Sequence, residues 1–202
     1  GFGSLVTTGI QLINDNRNKK INRIFEEKKT AYLEYIKNKG IELIFDTDTE
    51  EEIIACDPDK IERIILNLLS NAIKYTRPDG KIIVNINSDK ENVYISVKDT
   101  GIGMPKQKLN KIFNRYEQID NKLTKSFNGS GIGLSLVKSL VELHGGVVYL
   151  EKSVEQGCEF VIKLPNKILD ESKNEEIKSI DIDNKPLIQK VNIEFSDIYE
   201  LY

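Results

Sequence analysis

Between Asp57 and Thr76 the apolar residues Ile61, Ile64, Ile65, Leu68, Leu69, Ala72 and Ile73 recur at three- and four-residue steps. That spacing predicts one helix with a broad buried stripe. Asp57 followed by Pro58 supplies its start, an aspartate N-cap with proline at the first helical position. Elsewhere the period falls to two. Lys81–Asn87 and Val93–Lys98 alternate around Asp89–Asn92 and predict an antiparallel hairpin; Ile41–Asp46 and Ile53–Cys56 predict shorter strands. Gly131–His144 predicts a helix closed by Gly145–Gly146. Val147–Ser153 and Cys158–Leu164 predict a last hairpin around Glu155–Gln156–Gly157. Near the start, Ile21, Ile24, Phe25, Tyr32, Tyr35 and Ile36 keep helical spacing up to Gly40. Residues 1–40 are therefore expected to be helical, broken by a turn or linker in the polar run Asn14–Lys20. Met104–Gly129 is long, polar and weakly periodic, with one short helix expected near Lys106–Phe113.

Helices combined with mostly antiparallel strands, without regular alternation, predict an α+β fold: a two-layer sandwich with helices on one face of a mixed, mostly antiparallel sheet. Pro165 is expected to end this body. Residues 166–190 are charged and poor in apolar groups, as a linker or extended tail would be. Lys190–Tyr202 regains apolar residues that dock either on the body or on another molecule. The expected organisation is an N-terminal helical segment over 1–40, a domain over 41–165 and a tail over 166–202.

Composition narrows the class. The chain has 202 residues, 39% hydrophobic and 30% charged, with a net charge of −3. These values suit a soluble globular protein and give no reason to expect a nucleic-acid partner. Cys56 and Cys158 match no metal-ligand spacing and are expected to be small buried or half-buried thiols in a reducing compartment. No run approaches ~18 consecutive apolar residues and no signal peptide is evident, so a cytoplasmic chain without a membrane span is expected. The opening Gly-Phe-Gly-Ser, without Met, is what a fragment of a longer parent would show, and that parent could be membrane-anchored.

Three groups of residues suggest chemistry. Asn67, Asn71 and Lys74 share a helix face nearly opposite the apolar stripe, bordered by Tyr75. A solvated outer face is the ordinary alternative. Asn is a poor helix former, however, and two amide oxygens on one face suit a metal or a nucleotide. Asp99 follows Val93, Ile95 and Val97 in phase, which puts a carboxylate on the core face unless it leaves the strand to cap a turn. Gly101 and Gly103 allow a ligand close to the backbone, and an inward acceptor there suits an adenine amino group. Gly129, Gly131 and Gly133 open the Gly131–His144 helix, where free amides favour phosphate; flexible-loop glycine is the alternative. The run is neither a dinucleotide fingerprint nor a Walker loop.

Taken together, these residues resemble the ATP-binding catalytic domain of sensor histidine kinases, in the GHKL ATPase superfamily, from about Ile41 to Pro165. The N box corresponds to Asn67-Leu-Leu-Ser-Asn71-Ala-Ile-Lys74-Tyr75-Thr. The two glycine boxes correspond to Asp99-Thr-Gly101-Ile-Gly103 and Gly129-Ser-Gly131-Ile-Gly133-Leu134, and the F box to Ile112-Phe113-Asn-Arg115-Tyr116. The resemblance implies that ATP and Mg2+ are the cofactors. Asn71 would be the metal ligand, and Asn67 and Lys74 would act at the phosphates. Tyr75 would lie against adenine and Asp99 would accept from its amino group. Gly101, Gly103, Gly129, Gly131, Gly133 and Leu134 would shape the pocket. Met104–Gly129 would be a mobile lid carrying Arg115, Lys122 and Lys125. Asn128 departs from the acidic residue many relatives carry there.

A larger departure concerns the phosphoacceptor. Relatives carry it on a dimerisation domain, yet residues 1–56 contain no His, and the only one in the chain is His144. His144 is expected to be structural, at a helix end that favours positive charge. The implied partners are therefore a histidine-bearing dimerisation domain and, downstream, a response regulator. Autophosphorylation at the usual place is not expected: the dimerisation domain is cut away, or the helix before Gly40 is its remnant, or the acceptor lies on another protein. The alternatives are a degenerate, non-catalytic GHKL interaction domain and an anti-sigma-type serine kinase. Chaperone, gyrase and mismatch-repair relatives place a hydrolytic Glu where Asn67 stands.

Overall fold

The computed structural model describes residues 17–47, 53–114, 133–153 and 156–168. The elements in order are β1 (Arg17–Lys20), α1 (Ile21–Asn38), β2 (Glu42–Thr47), β3 (Ile53–Cys56), α2 (Pro58–Tyr75), β4 (Lys81–Ser88), β5 (Asn92–Asp99), a 3-10 turn (Lys106–Lys108), α3 (Gly133–Leu143), β6 (Val147–Ser153) and β7 (Cys158–Pro165).

The long helix starts where its local chemistry directs. Asp57 is extended, and its Oδ1 accepts from the amides of Asp59 at 3.0 Å and Lys60 at 3.2 Å. Those amides have no partner inside the helix, so the cap satisfies donors that would otherwise be lost. The far end closes on Thr76, whose hydroxyl donates to the Ala72 carbonyl at 2.6 Å. Along α2, Ile61, Ile64, Ile65, Leu68, Leu69 and Ala72 are buried.

The sheet beneath has the order β2-β4-β5-β7-β6. β2 and β4 run parallel; every other neighbouring pair is antiparallel. Ile82, Val84 and Ile86 of β4, Val93, Ile95 and Val97 of β5, and Phe160, Ile162 and Leu164 of β7 join the α2 stripe in one core. Leu136, Val137, Leu140 and Val141 of α3 complete it. This is the two-layer α+β sandwich that the pattern predicts. α1 lends Ile21, Ile24 and Ile36 to the same core.

Two local expectations need correction. Arg17–Lys20 is a strand, pairing antiparallel with β3 from Arg17↔Cys56 to Lys20↔Ile53. Its polar side chains hide it, because the pairing is carried by backbone amides and carbonyls. The helix expected near Lys106–Phe113 shrinks to the three-residue 3-10 turn after Pro105, followed by turns. Without an apolar stripe nothing drives a longer helix there; only Ile112 and Phe113 reach the core, with Phe113 edge-on to Phe160 at 6.2 Å. Of the helix expected over Gly131–His144, α3 covers Gly133–Leu143, and Gly131 lies outside the described residues.

His144 joins the two helices that matter most. It is 2% exposed. Its Nδ1 lies 2.7 Å from the Leu140 carbonyl and its Nε2 accepts from the Asp57 amide at 3.2 Å. One nitrogen donates and the other accepts, which only the neutral ring can do. Burial holds its pKa below the ordinary His value, against the Leu140 carbonyl and Asp57, which favour the charged form. The structure thus places a neutral ring where the helix end alone suggests a positive one. Because the folded-state pKa is lowered, stability is whole above the unfolded value of about 6.5 and falls as pH drops below it, by up to ~1.4 kcal/mol per pH unit. Denaturant midpoints taken from pH 7.5 to 5.5 should fall more steeply for the wild type than for His144→Phe; equal slopes would contradict this.

Candidate active site

The amide face of α2 is not a solvated one. Asn67, Asn71, Lys74 and Tyr75 are all half-buried. The Asn67 Nδ2 donates to the Arg63 carbonyl at 2.8 Å, which leaves Oδ1 facing outward from the helix backbone. Gly133, the first residue of α3, comes so close that a Cβ on it would stand 3.0 Å from that Oδ1. The last glycine of the second glycine box thus sits against the first residue of the N box. Leu134 packs partly buried on the core beside it. Asn71 makes no hydrogen bond among the described residues.

At the other end of the helix, about 10 Å from Asn67 by helical rise, Lys74 lies over the Tyr75 ring at 5.2 Å. Burial lowers the pKa of the Lys74 ammonium. Burial raises that of the Tyr75 phenol, with Cys158 adding to the effect. The Tyr75 carbonyl accepts from the Ile102 amide at 3.2 Å. Gly101 lies against the same carbonyl, and a Cβ there would collide with its oxygen. Gly103 has φ +72, a left-handed conformation that glycine adopts without strain. The first glycine box is therefore clamped onto the C-terminal end of α2.

Asp99 ends β5 on the core side and is 7% exposed. Its Oδ1 accepts from Gly101 N at 2.8 Å and Cys158 N at 3.2 Å. Among the described residues Oδ2 accepts none. Burial raises the carboxyl pKa, while the two backbone bonds pull it back down. An acceptor with one oxygen fixed and the other unused, on a strand otherwise packed with Val and Ile, is arranged to meet a donor from outside.

Two links, Asn67 to Gly133 and Tyr75 to Gly101, bring three distant stretches of chain onto one ridge. Arg115, Lys122, Lys125, Asn128, Gly129 and Gly131 lie outside the described residues. Sequence reasoning passed over the Ile102 amide, Gly157 and the Cys158 amide. The turn around Glu155–Gln156–Gly157 is readable in the sequence, but nothing local says that Gly157 would lie on Asp99.

For a divalent cation the donors matter more than their number. Among the described residues no cluster of three or more His, Cys, Asp or Glu could hold a metal. The amide oxygens of Asn67 and Asn71 are neutral, hard donors. They fit Mg2+ in the form that completes its shell with phosphate and water oxygens.

Comparison with known proteins gives the family and the fold. The chain belongs to the histidine kinase-, DNA gyrase B-, and HSP90-like ATPase family, whose model matches residues 56–168. It is 36% identical to the sensor histidine kinase WalK of Bacillus subtilis over 145 residues, 71% of this chain and 22% of WalK. It is also 36% identical to the circadian input-output histidine kinase CikA of Synechococcus elongatus over 118 residues, 58% of this chain and 16% of CikA. The chain thus spans less than a quarter of either relative. The solved catalytic domain of histidine kinase ThkA superposes with a TM-score of 0.66 at 26% identity, covering 75% of this chain and 98% of that domain. ThkA has also been solved in complex with the response regulator protein TrrA. The fold is that of histidine kinase catalytic domains. Among the described residues no helix is long and apolar enough to cross a membrane.

Proposed function

We propose that this chain binds Mg·ATP along the α2 ridge and presents the γ-phosphate to a histidine outside the chain, as the catalytic domain of a two-component sensor kinase. The observation that carries the reading is Asp99: buried and, among the described residues, held through Oδ1, with Oδ2 left for an adenine amino group. Tyr75 flanks the base. Lys74 leaves its ring for a phosphate, a move favoured by the partial desolvation of its ammonium. Asn67 acts beside the phosphates and Asn71 is the metal ligand; the bound Mg2+ supplies charge neutralisation on the phosphates. Gly133 and Leu134 edge the phosphate end. Gly129, Gly131, Arg115 and Lys125 are assigned there by resemblance. The work of the domain is positioning and charge neutralisation rather than covalent catalysis.

The proposed acceptor belongs to a histidine-bearing dimerisation domain, and a response regulator takes the phosphoryl group from it. The setting is the cytoplasm, where ATP is available, with the parent protein anchored in the membrane or not. Residues 41–165 are proposed as the ATP-binding unit, 1–40 as a linker or remnant of the dimerisation domain, and 166–202 as a tail.

Titration with a non-hydrolysable ATP analogue tests the site. Binding should tighten when Mg2+ is added, and Asn71→Ala should lose at least tenfold of that gain. Identical curves with and without the metal would defeat the assignment. Labelled ATP mixed with a dimerisation domain should leave acid-labile phosphate on its histidine. Acid-stable label on serine would favour the anti-sigma-type kinase, and nucleotide binding without transfer would favour the degenerate domain.

A further inference from the structure

β5 and β7 pair antiparallel, and their register runs out at Lys98↔Glu159. One position beyond, the Cys158 amide turns from the backbone ladder to a side chain, donating to Asp99 Oδ1 across 59 residues of sequence. Gly157 makes that approach possible. Its φ is +97, and a Cβ on it would collide with the Asp99 carbonyl oxygen while standing 3.1 Å from the Asp99 carbonyl carbon and 3.3 Å from Thr100 Cα. Any other residue would lift the start of β7 off the Asp99–Thr100 peptide. Cys158 also borders both residues assigned to the base. Its thiol is pushed up to about 12 by burial and by the nearby Asp99, and it contributes to the raised pKa of Tyr75.

We infer that Gly157 and Cys158 are positioning residues for base recognition: the glycine lets β7 lie on the end of β5, and the Cys158 N–H fixes Asp99 Oδ1 so that Oδ2 faces the base. This deepens the ATP-binding reading and rests on it. A carboxylate gripped by one amide can turn; gripped by two on the same oxygen, it presents one oxygen in one direction. The same bond also sets the proton affinity of the acceptor. A donor N–H favours the charged form, so losing it raises the pH at which Asp99 takes up a proton and stops accepting.

The experiment titrates an ATP analogue and its guanine counterpart against wild type, Gly157→Ala and Cys158→Pro, from pH 8 to pH 5. Cys158→Pro removes the donor without adding bulk at position 157, and proline is tolerated at the first residue of a strand; it carries the test if Gly157→Ala folds poorly. Both variants should bind the adenine analogue at least tenfold more weakly and discriminate less against guanine. Their acid-side loss of affinity should move to higher pH, a limb assigned to Asp99 by its absence in Asp99→Asn. Weaker binding with the acid limb unmoved would overturn the inference, because a merely structural role would not touch the proton. So would unchanged binding in both variants. A wild type that binds neither nucleotide would instead refute the ATP-binding reading itself.

Discussion

Asp99→Asn is expected to lower affinity for an ATP analogue about 100-fold, ~3 kcal/mol, while leaving the domain folded. The two backbone amides from Gly101 and Cys158 both need an acceptor, and both point at the position of Oδ1. An asparagine must turn its carbonyl oxygen to them, which puts its NH2 where Oδ2 stands. A donor then faces the adenine amino group, also a donor. The charged hydrogen bond is lost and nothing replaces it. Stability should move the other way. Burial raises the folded-state pKa of Asp99, so its contribution is whole below the unfolded value of about 3.9 and is lost as pH rises through the folded one. At pH 7 the buried carboxylate is therefore a cost, and Asp99→Asn should melt no lower than wild type. As pH falls through the folded-state value and the wild-type carboxyl protonates, any advantage of the variant should shrink. Titration calorimetry together with melts at pH 7 and pH 4 checks both parts. A variant that binds like wild type would remove Asp99 from the base site.

Leu68→Ala should show the opposite pattern: about 3 kcal/mol of lost stability with little change in intrinsic affinity. Leu68 is 1% exposed, in the middle of the apolar stripe on α2. Shortening it removes contacts within the core and leaves a cavity among packed side chains that relax only partly. Against a total of roughly 5–15 kcal/mol for a domain, that loss is large. The urea midpoint should fall with an unchanged slope, and binding measured well below the new midpoint should stay within a few-fold of wild type. An unmoved midpoint would mean that the stripe is not what holds the ridge in place. The pair of variants separates what the helix does with its two faces.

Much of this was readable from residues in order. The start of α2 follows from Asp57 and Pro58, and its end from the last apolar position before Thr76, because caps and stripes are local devices. The β4 and β5 strands follow from strict alternation, and with them the inward phase of Asp99. Helical periodicity placed Asn67, Asn71 and Lys74 on one face with Tyr75 at its border, and resemblance gave them their expected roles. β1 escaped because Arg17–Lys20 carries no apolar pattern, and the overlong Lys106–Phe113 helix was expected because its lysines are permissive rather than directive. His144 was readable as structural, but its charge was not: its hydrogen-bond partner, the Asp57 amide, lies 87 residues away.

The chain order alone thus settled which segments are helix or strand in the core, where α2 is capped and which way each side chain on it points, since these depend on neighbours within a few residues. The tertiary structure alone decided the strand order, with β2 parallel to β4 and β5 lying between β4 and β7. It also decided that Gly133 would rest on Asn67, that Gly101 would rest on the Tyr75 carbonyl, and that the Cys158 amide would hold Asp99. Periodicity reports how much of a residue is buried, never against what. A hydrogen bond between residues far apart in sequence exists only once the sheet has closed and brought them within 3 Å or so.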